Sequence, residues 1–271
     1  MNETLASEAA GPLATVDTAF AKKAKLDQLI CWWSIPIFYQ IFGLIFGYLT
    51  QIMRPPIPGP SLSPDGITAF TLGNATHMQI GTVLLAIFLG FASMGTGLIV
   101  VQMKRMSGAG PVLAYAYLAC GAIAALPGCY FCGLLFSVAA FRPDRDPQII
   151  ALLYDMGFVG FIGCLGCFVT QYLVFAVAIF LDKRGIFPKW LGYITIWNLV
   201  TELVAAPVWI FKSGPYAWNG LLSFYLGVVI FVVWIVCLIV YLKKAIRNQP
   251  LDEVEPEYLN AALRANAAAG Q

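Results

Sequence analysis

The sequence predicts an all-α fold, a bundle of six membrane-spanning helices with both termini cytoplasmic. Three observations carry that prediction. Hydrophobic residues make up 60% of the 271-residue chain and charged residues 11%, with a mean hydropathy of +0.79. Soluble domains carry about 25% charge, so this chain lacks the polar side chains to clothe a water-facing surface. The apolar residues gather into runs of roughly 20 residues or more, the helix length that crosses about 30 Å of hydrocarbon. Basic residues, finally, are dense in alternate connecting segments and sparse in the others, which sets an orientation.

Taken in order, the chain divides into a polar cytoplasmic segment over residues 1–27, a membrane domain over 28–247 and an acidic cytoplasmic tail over 248–271. Residues 1–27 contain acids and lack an apolar core of their own, so they do not read as a cleavable signal peptide. The spans are expected at Leu29–Leu49, Met78–Met103, Pro111–Phe141, Gly157–Leu181, Trp190–Phe211 and Leu221–Leu242. In lipid every backbone polar group must pair within its own segment, which such runs achieve as helices. With the N-terminus inside, eleven basic residues fall on cytoplasmic segments and four on the opposite side, apart from Arg264 on the tail. That asymmetry places both ends on the cytoplasmic side.

The outer segments are punctuated by turn and cap residues. QIMRPPIPGPSLSPDG (51–66) is Pro-rich and irregular, and Ser63-Pro64-Asp65 predicts a helix start leading over Gly66–Thr76 into the second span. In FRPDRDPQ (141–148), Asp146 reads as an N-cap with Pro147 at the first helical position. GPYAWNG (214–220) predicts a tight turn with Tyr216 and Trp218 at the membrane interface. On the tail, PEYLNAALRANAAA predicts a short helix beginning at Pro256.

Composition excludes several functions. A net charge of +2 with scattered basic residues does not suit nucleic acid. A single histidine supplies neither a multi-histidine metal centre nor two haem ligands. No lysine lies at mid-depth in the last span to carry a Schiff base, and no intramembrane serine has a histidine at its depth. No cofactor is expected, and the balance leans away from an enzyme.

The candidate site is the carboxylate inside IWNLVTELVAAPVW (196–209). A charged group at the bilayer centre costs roughly 2.5–3.5 kcal/mol on insertion scales, so it is rarely left facing lipid. Glu202 lies about 15 Å below the outer end of its helix at 1.5 Å per residue. Thr195, Asn198, Thr201, Glu202 and Trp209 share a face at helical spacing, and Pro207 is placed to bend the helix. His77 near the outer end of the second span, Tyr154 and Asp155 in the first turns of the fourth helix, and Gln171 and Tyr172 deeper on it complete an expected funnel towards Glu202. The competing reading is a structural polar network that merely holds helices together.

Two C-x-x-C sequences, Cys129/Cys132 and Cys164/Cys167, fall about 13 Å deep on consecutive helices. Their glycine neighbours, Gly128 and Gly133 on one helix and Gly157, Gly160, Gly163 and Gly166 on the other, favour close helix packing over redox pairing or a metal site. A kink at Pro127 would widen the third helix beside them.

FPKWLGY (187–193), GPYAWNG (214–220) and FRPDRDPQ before the helix carrying Asp155 resemble segments of uncharacterised bacterial polytopic inner-membrane proteins, often encoded near genes for steroid or hydrocarbon breakdown. The resemblance implies an association with lipophilic compounds and carries over no catalytic residue. The expected function is binding of a small, mainly apolar or amphipathic molecule in an outward-facing intramembrane pocket. Glu202 and Asn198 would orient its polar end against a wall of Trp197, Trp209, Phe161 and Tyr172, as in a transporter or permease. The alternative is a non-catalytic accessory subunit of a larger membrane enzyme complex. Membrane lipids are the remaining expected partners, beside copies of the chain itself.

Overall fold

The computed structural model describes residues 25–125, 130–163, 165–250 and 253. Residues 1–24, Pro127, Cys129, Cys164 and the tail helix expected from Pro256 lie outside the described residues.

The described chain is all-helical. Helix α1 (Leu26–Gly43) continues through a π-helical stretch at Leu44–Leu49. Helix α2 (Pro64–Gly73) is short, and α3 (Ala75–Phe88) and α4 (Gly90–Lys104) follow end to end. Helices α5 (Pro111–Ala125) and α6 (Cys132–Phe141) lie on either side of residues 126–129. Helices α7 (Pro147–Gly163) and α8 (Leu165–Leu181) also run in sequence. Helix α9 (Lys189–Ala205) ends in a 3-10 turn at Ala206–Trp209, and α10 (Leu226–Arg247) is preceded by a π turn at Leu221–Tyr225. Five stretches are long and apolar enough to cross a membrane: Leu26–Leu49, Ala75–Lys104, Pro147–Leu181, Lys189–Trp209 and Leu221–Arg247. The chain is thus an integral membrane protein by composition and helix length. The expected third span is represented by the two shorter apolar helices α5 and α6.

Local chemistry explains the helix ends. Ser63 Oγ accepts from Gly66 N at 3.2 Å and starts α2 with Pro64 in its first turn. Asp146 Oδ1 accepts from Gln148 N at 2.7 Å and starts α7 at Pro147. At Pro207 the α-helix gives way to the 3-10 turn, because proline has no N–H to offer the carbonyl four residues back. Lys189 closes the end of α8, its Nζ donating to the carbonyls of Ile179, Phe180 and Asp182 at 2.6–2.9 Å, where the helix dipole favours a cation.

Two packing units share the chain. In the first, α1 packs on α4, α4 on α5, α5 on α8, α8 on α9, α9 on α10, and α10 returns to α1. That closed ring encloses a core including Ile35, Leu98, Tyr117, Phe175, Leu191 and Trp234. In the second, α3, α6, α7 and α2 pack with the π stretch of α1 around Phe46, Met78, Phe136, Tyr154, Phe158 and Trp218.

Each unit is closed by polar contacts at its free end. At the ring end Lys25 Nζ donates to Arg247 O (3.3 Å) and Gln249 O (2.5 Å). There Lys183 N donates to Ser107 O at 3.1 Å, and Arg105 and Arg184 both bond Glu253. Residues 25, 105–107, 182–184, 247–249 and 253 therefore meet at one end of the bundle. At the other end, Trp218 is covered by protein. It is only 4% exposed, its ring stacks on Phe158 at 5.5 Å, and its Nε1 donates to Pro58 O at 2.8 Å. Folding of the Pro-rich segment back over the bundle end, with Ile52 and Ile57 buried, creates that seat.

Candidate functional site

Helix α9 turns Thr195, Asn198 and Thr201 into the ring, the first two with no exposed surface. Both threonine hydroxyls are satisfied by carbonyls of their own helix, Thr195 Oγ1 donating to Leu191 O at 2.8 Å and Thr201 Oγ1 to Asn198 O at 2.7 Å. Thr195 also accepts from Trp234 Nε1 of α10 at 2.9 Å, which ties the two helices together. Asn198 differs. Its side-chain amide is buried, and neither Nδ2 nor Oδ1 has a hydrogen-bond partner.

Beside that amide α8 supplies Tyr172, which neighbours Tyr117 of α5, and Tyr117 in turn meets Gln171 of α8; all three are buried. The Tyr172 ring meets Trp234 edge-on at 5.1 Å, and its hydroxyl approaches the Asn198 side chain without making good hydrogen-bond geometry. Gly121 on α5 makes room for Gln171: a Cβ there would stand 2.6 Å from Gln171 Nε2 and 2.9 Å from Thr96 Cγ2. Glu202, one turn beyond Asn198, is half-buried at the edge of the inward face, within electrostatic reach of Tyr172. Amide, carboxyl and phenol groups thus meet inside an apolar ring. Such a set binds and orients a polar group; among the described residues it offers no nucleophile with a base and no metal-ligating cluster.

The structure brings together Gln171, Tyr172, Asn198, Thr201 and Glu202 and leaves the other expected residues elsewhere. His77 is exposed on the first turn of α3. Tyr154 is wholly buried in the second unit among Phe70, Phe136 and Phe158, with ring separations of 5.1–6.1 Å. Asp155 beside it is half-buried and feels the charge of Lys212. Trp209 is 63% exposed; it lies across Gly163 and donates from Nε1 to the Gly163 carbonyl at 3.3 Å. Trp197 is 65% exposed and looks away from the ring. Phe161 stacks on Phe42 and Phe46. Helical spacing assigns a shared face only while the α-helix continues, but here the α-helix ends at Ala205 and Trp209 closes the 3-10 turn that contains Pro207, which rotates it off the stripe.

Tyr117 and Trp234 are the site residues that sequence reasoning missed. Their signal is slight, a phenol and an indole N–H within otherwise apolar runs that must each find a partner when buried.

Of the four thiols expected to cluster, Cys132 and Cys167 are described, and among the described residues neither forms a disulfide. Cys132 belongs to the second unit, whereas Cys167 rides on α8 in the ring. The glycines near them admit side chains from other elements: Gly133 faces Leu85, Gly157 faces Phe136 and Gly163 faces Trp209. A narrow crevice lined by Ile45, Thr50, Met78, Thr82, Leu85 and Phe136 has room on the order of one water molecule. It lies in the second unit, apart from Asn198. Comparison of the chain with protein-family models, curated proteins and solved structures finds no match.

Proposed function

We propose that the chain is a six-span protein of a bacterial inner membrane, with both termini cytoplasmic, that binds and passes a small, mainly apolar molecule. In this reading the molecule's polar end sits at Asn198, Glu202 and Tyr172 within the ring. The meeting of residues 25, 105, 184 and 247 at one end supports six passes, since each interval between them is then a hairpin of two crossings. The excess of basic residues in those same segments supports a cytoplasmic assignment for that end.

The observation that carries the binding reading is the orphaned amide. A buried donor or acceptor without a partner costs about 1–3 kcal/mol, and native interiors keep few of them. A wholly buried asparagine with both amide atoms unpaired, a helical turn from a carboxyl, is best explained by a guest that pairs with it. The experiment is extraction of the protein in native lipid with a membrane-solubilising polymer, followed by mass spectrometry of co-purifying small molecules. An apolar molecule enriched with the parent protein and reduced about tenfold, or about 1.4 kcal/mol of lost contacts, in Asn198→Leu and Glu202→Gln supports the reading. Equal retention by both variants overturns it. A constant protein partner in the same preparation favours an accessory subunit instead.

A further inference from the structure

At the ring end of the bundle a second polar constellation stands apart from Asn198. Glu253 sits between two guanidinium groups: Arg105 Nε donates to its Oε2 at 2.7 Å, and Arg184 Nη2 donates to its Oε1. The two arginines come from different connections, Arg105 from the end of α4 and Arg184 from the turn after α8. Both are held by the bundle without help from the tail. Arg105 Nη1 donates to Gln102 Oε1 and, at 3.3 Å, to Ala245 O. Gln102, fully buried, donates in turn to buried Gln28 at 2.8 Å. Arg184 Nη1 donates to Arg105 O at 3.1 Å, and its backbone N–H is fixed on Asp182 Oδ1 at 2.9 Å. Nearby, the Lys25 ammonium is pushed down from its ordinary pKa by burial and then by the Arg105 charge.

Two guanidiniums held this close repel unless an anion lies between them. The Arg105 side chain is only 12% exposed, so solvent offsets little of that repulsion. Each arginine takes a different oxygen of the carboxylate, a pattern that phosphate oxygens match equally well. We infer that Arg105 and Arg184 form an anion clamp for a phosphate group, and that the chain's own Glu253 occupies it as a displaceable stand-in. Two sources present that chemistry at a membrane surface, the headgroup of an acidic phospholipid and soluble inorganic phosphate. The tail carboxylate, tethered to α10, competes at an effective concentration on the order of millimolar. Its removal exposes the intrinsic anion affinity of the clamp.

The test uses the full chain, parent and variants, in detergent micelles. Phosphatidylglycerol retention is counted by native mass spectrometry, and inorganic phosphate binding is followed by thermophoresis. Glu253→Gln is expected to raise affinity for one of the two probes about tenfold, and Glu253→Gln combined with Arg184→Ala to abolish the gain. A gain with phosphatidylglycerol alone assigns the clamp to a lipid headgroup, and a gain with inorganic phosphate assigns it to a soluble anion. No gain with either probe in Glu253→Gln, which still melts in one cooperative transition, overturns the inference. So does a gain that survives Arg184→Ala. The outcome is independent of the Asn198 site, whose variants leave the clamp untouched.

Discussion

Replacing Asn198 by leucine separates a binding residue from a structural one. If the amide is held unpaired inside the ring, its polar atoms cost stability and return nothing to the empty protein. Leucine has nearly the same reach, removes both unpaired atoms, and adds apolar surface beside Tyr172. Relief of one orphaned amide is worth about 1–3 kcal/mol. The slightly larger side chain and the milder cost of polar groups in membrane interiors bring the expected gain to about 1 kcal/mol. For a chain of this size that corresponds to a rise of about 2–4 °C in melting temperature, followed by tryptophan fluorescence during heating of ligand-free protein. The same variant should lose the co-purifying molecule. A fall in melting temperature of similar size would refute the reasoning, because it would mean that the amide is already bonded within the fold.

Other expectations follow from particular contacts. Asp182 accepts from the backbone N–H groups of Ser107, Arg184 and Ile186 at 2.8–3.0 Å, so Asp182→Ala should destabilise by about 3 kcal/mol. The loss would show in thermal melts and in faster amide exchange at Ile186. Gly157 and Gly160 share a helix but not a fate: a Cβ at Gly157 would meet the Phe136 ring at 2.8 Å, while at Gly160 nothing lies within 4 Å. Gly157→Val should therefore lower stability by about 1–3 kcal/mol, and Gly160→Ala should be neutral or raise it by up to about 1 kcal/mol. Burial raises the Glu253 carboxyl pKa, but hydrogen bonds and charge from Arg105 and Arg184 outweigh it and hold the group below its ordinary value. The native pKa being the lower one, the Glu253 contribution should be complete above the free carboxyl's pKa of about 4.3 and vanish as pH falls through the depressed value. The difference in melting temperature between the parent and Glu253→Gln should thus hold steady from neutral pH to about pH 5 and close below it; a difference unchanged in stronger acid would refute the ion pairing.

The helical architecture was legible because bilayer thickness and backbone pairing leave an apolar run little choice. The caps at Ser63 and Asp146 were equally legible, since each is settled by residues within three positions. The candidate site was legible only along single helices. Asn198, Thr201 and Glu202 on α9, and Gln171 with Tyr172 on α8, were readable from polarity within apolar runs. Which of them meet was not, and neither were Tyr117 and Trp234, because ring closure is set by α5 and α10 side chains distant in sequence. Trp218 shows the same limit, since its stacking on Phe158 and its bond to the Pro58 carbonyl depend on how the Pro-rich segment folds back over it.

The sequence by itself determined that this chain is a helical membrane protein, for the cost of placing unpaired backbone or unshielded apolar runs anywhere else depends on composition and length alone. Only the tertiary structure decided that helices split into a ring and a second unit, that Asn198 is buried unpaired, and that Glu253 bridges two arginines. Those outcomes depend on which faces of separate helices pack together, and a lipid-soluble surface places almost no constraint on that choice along any one segment.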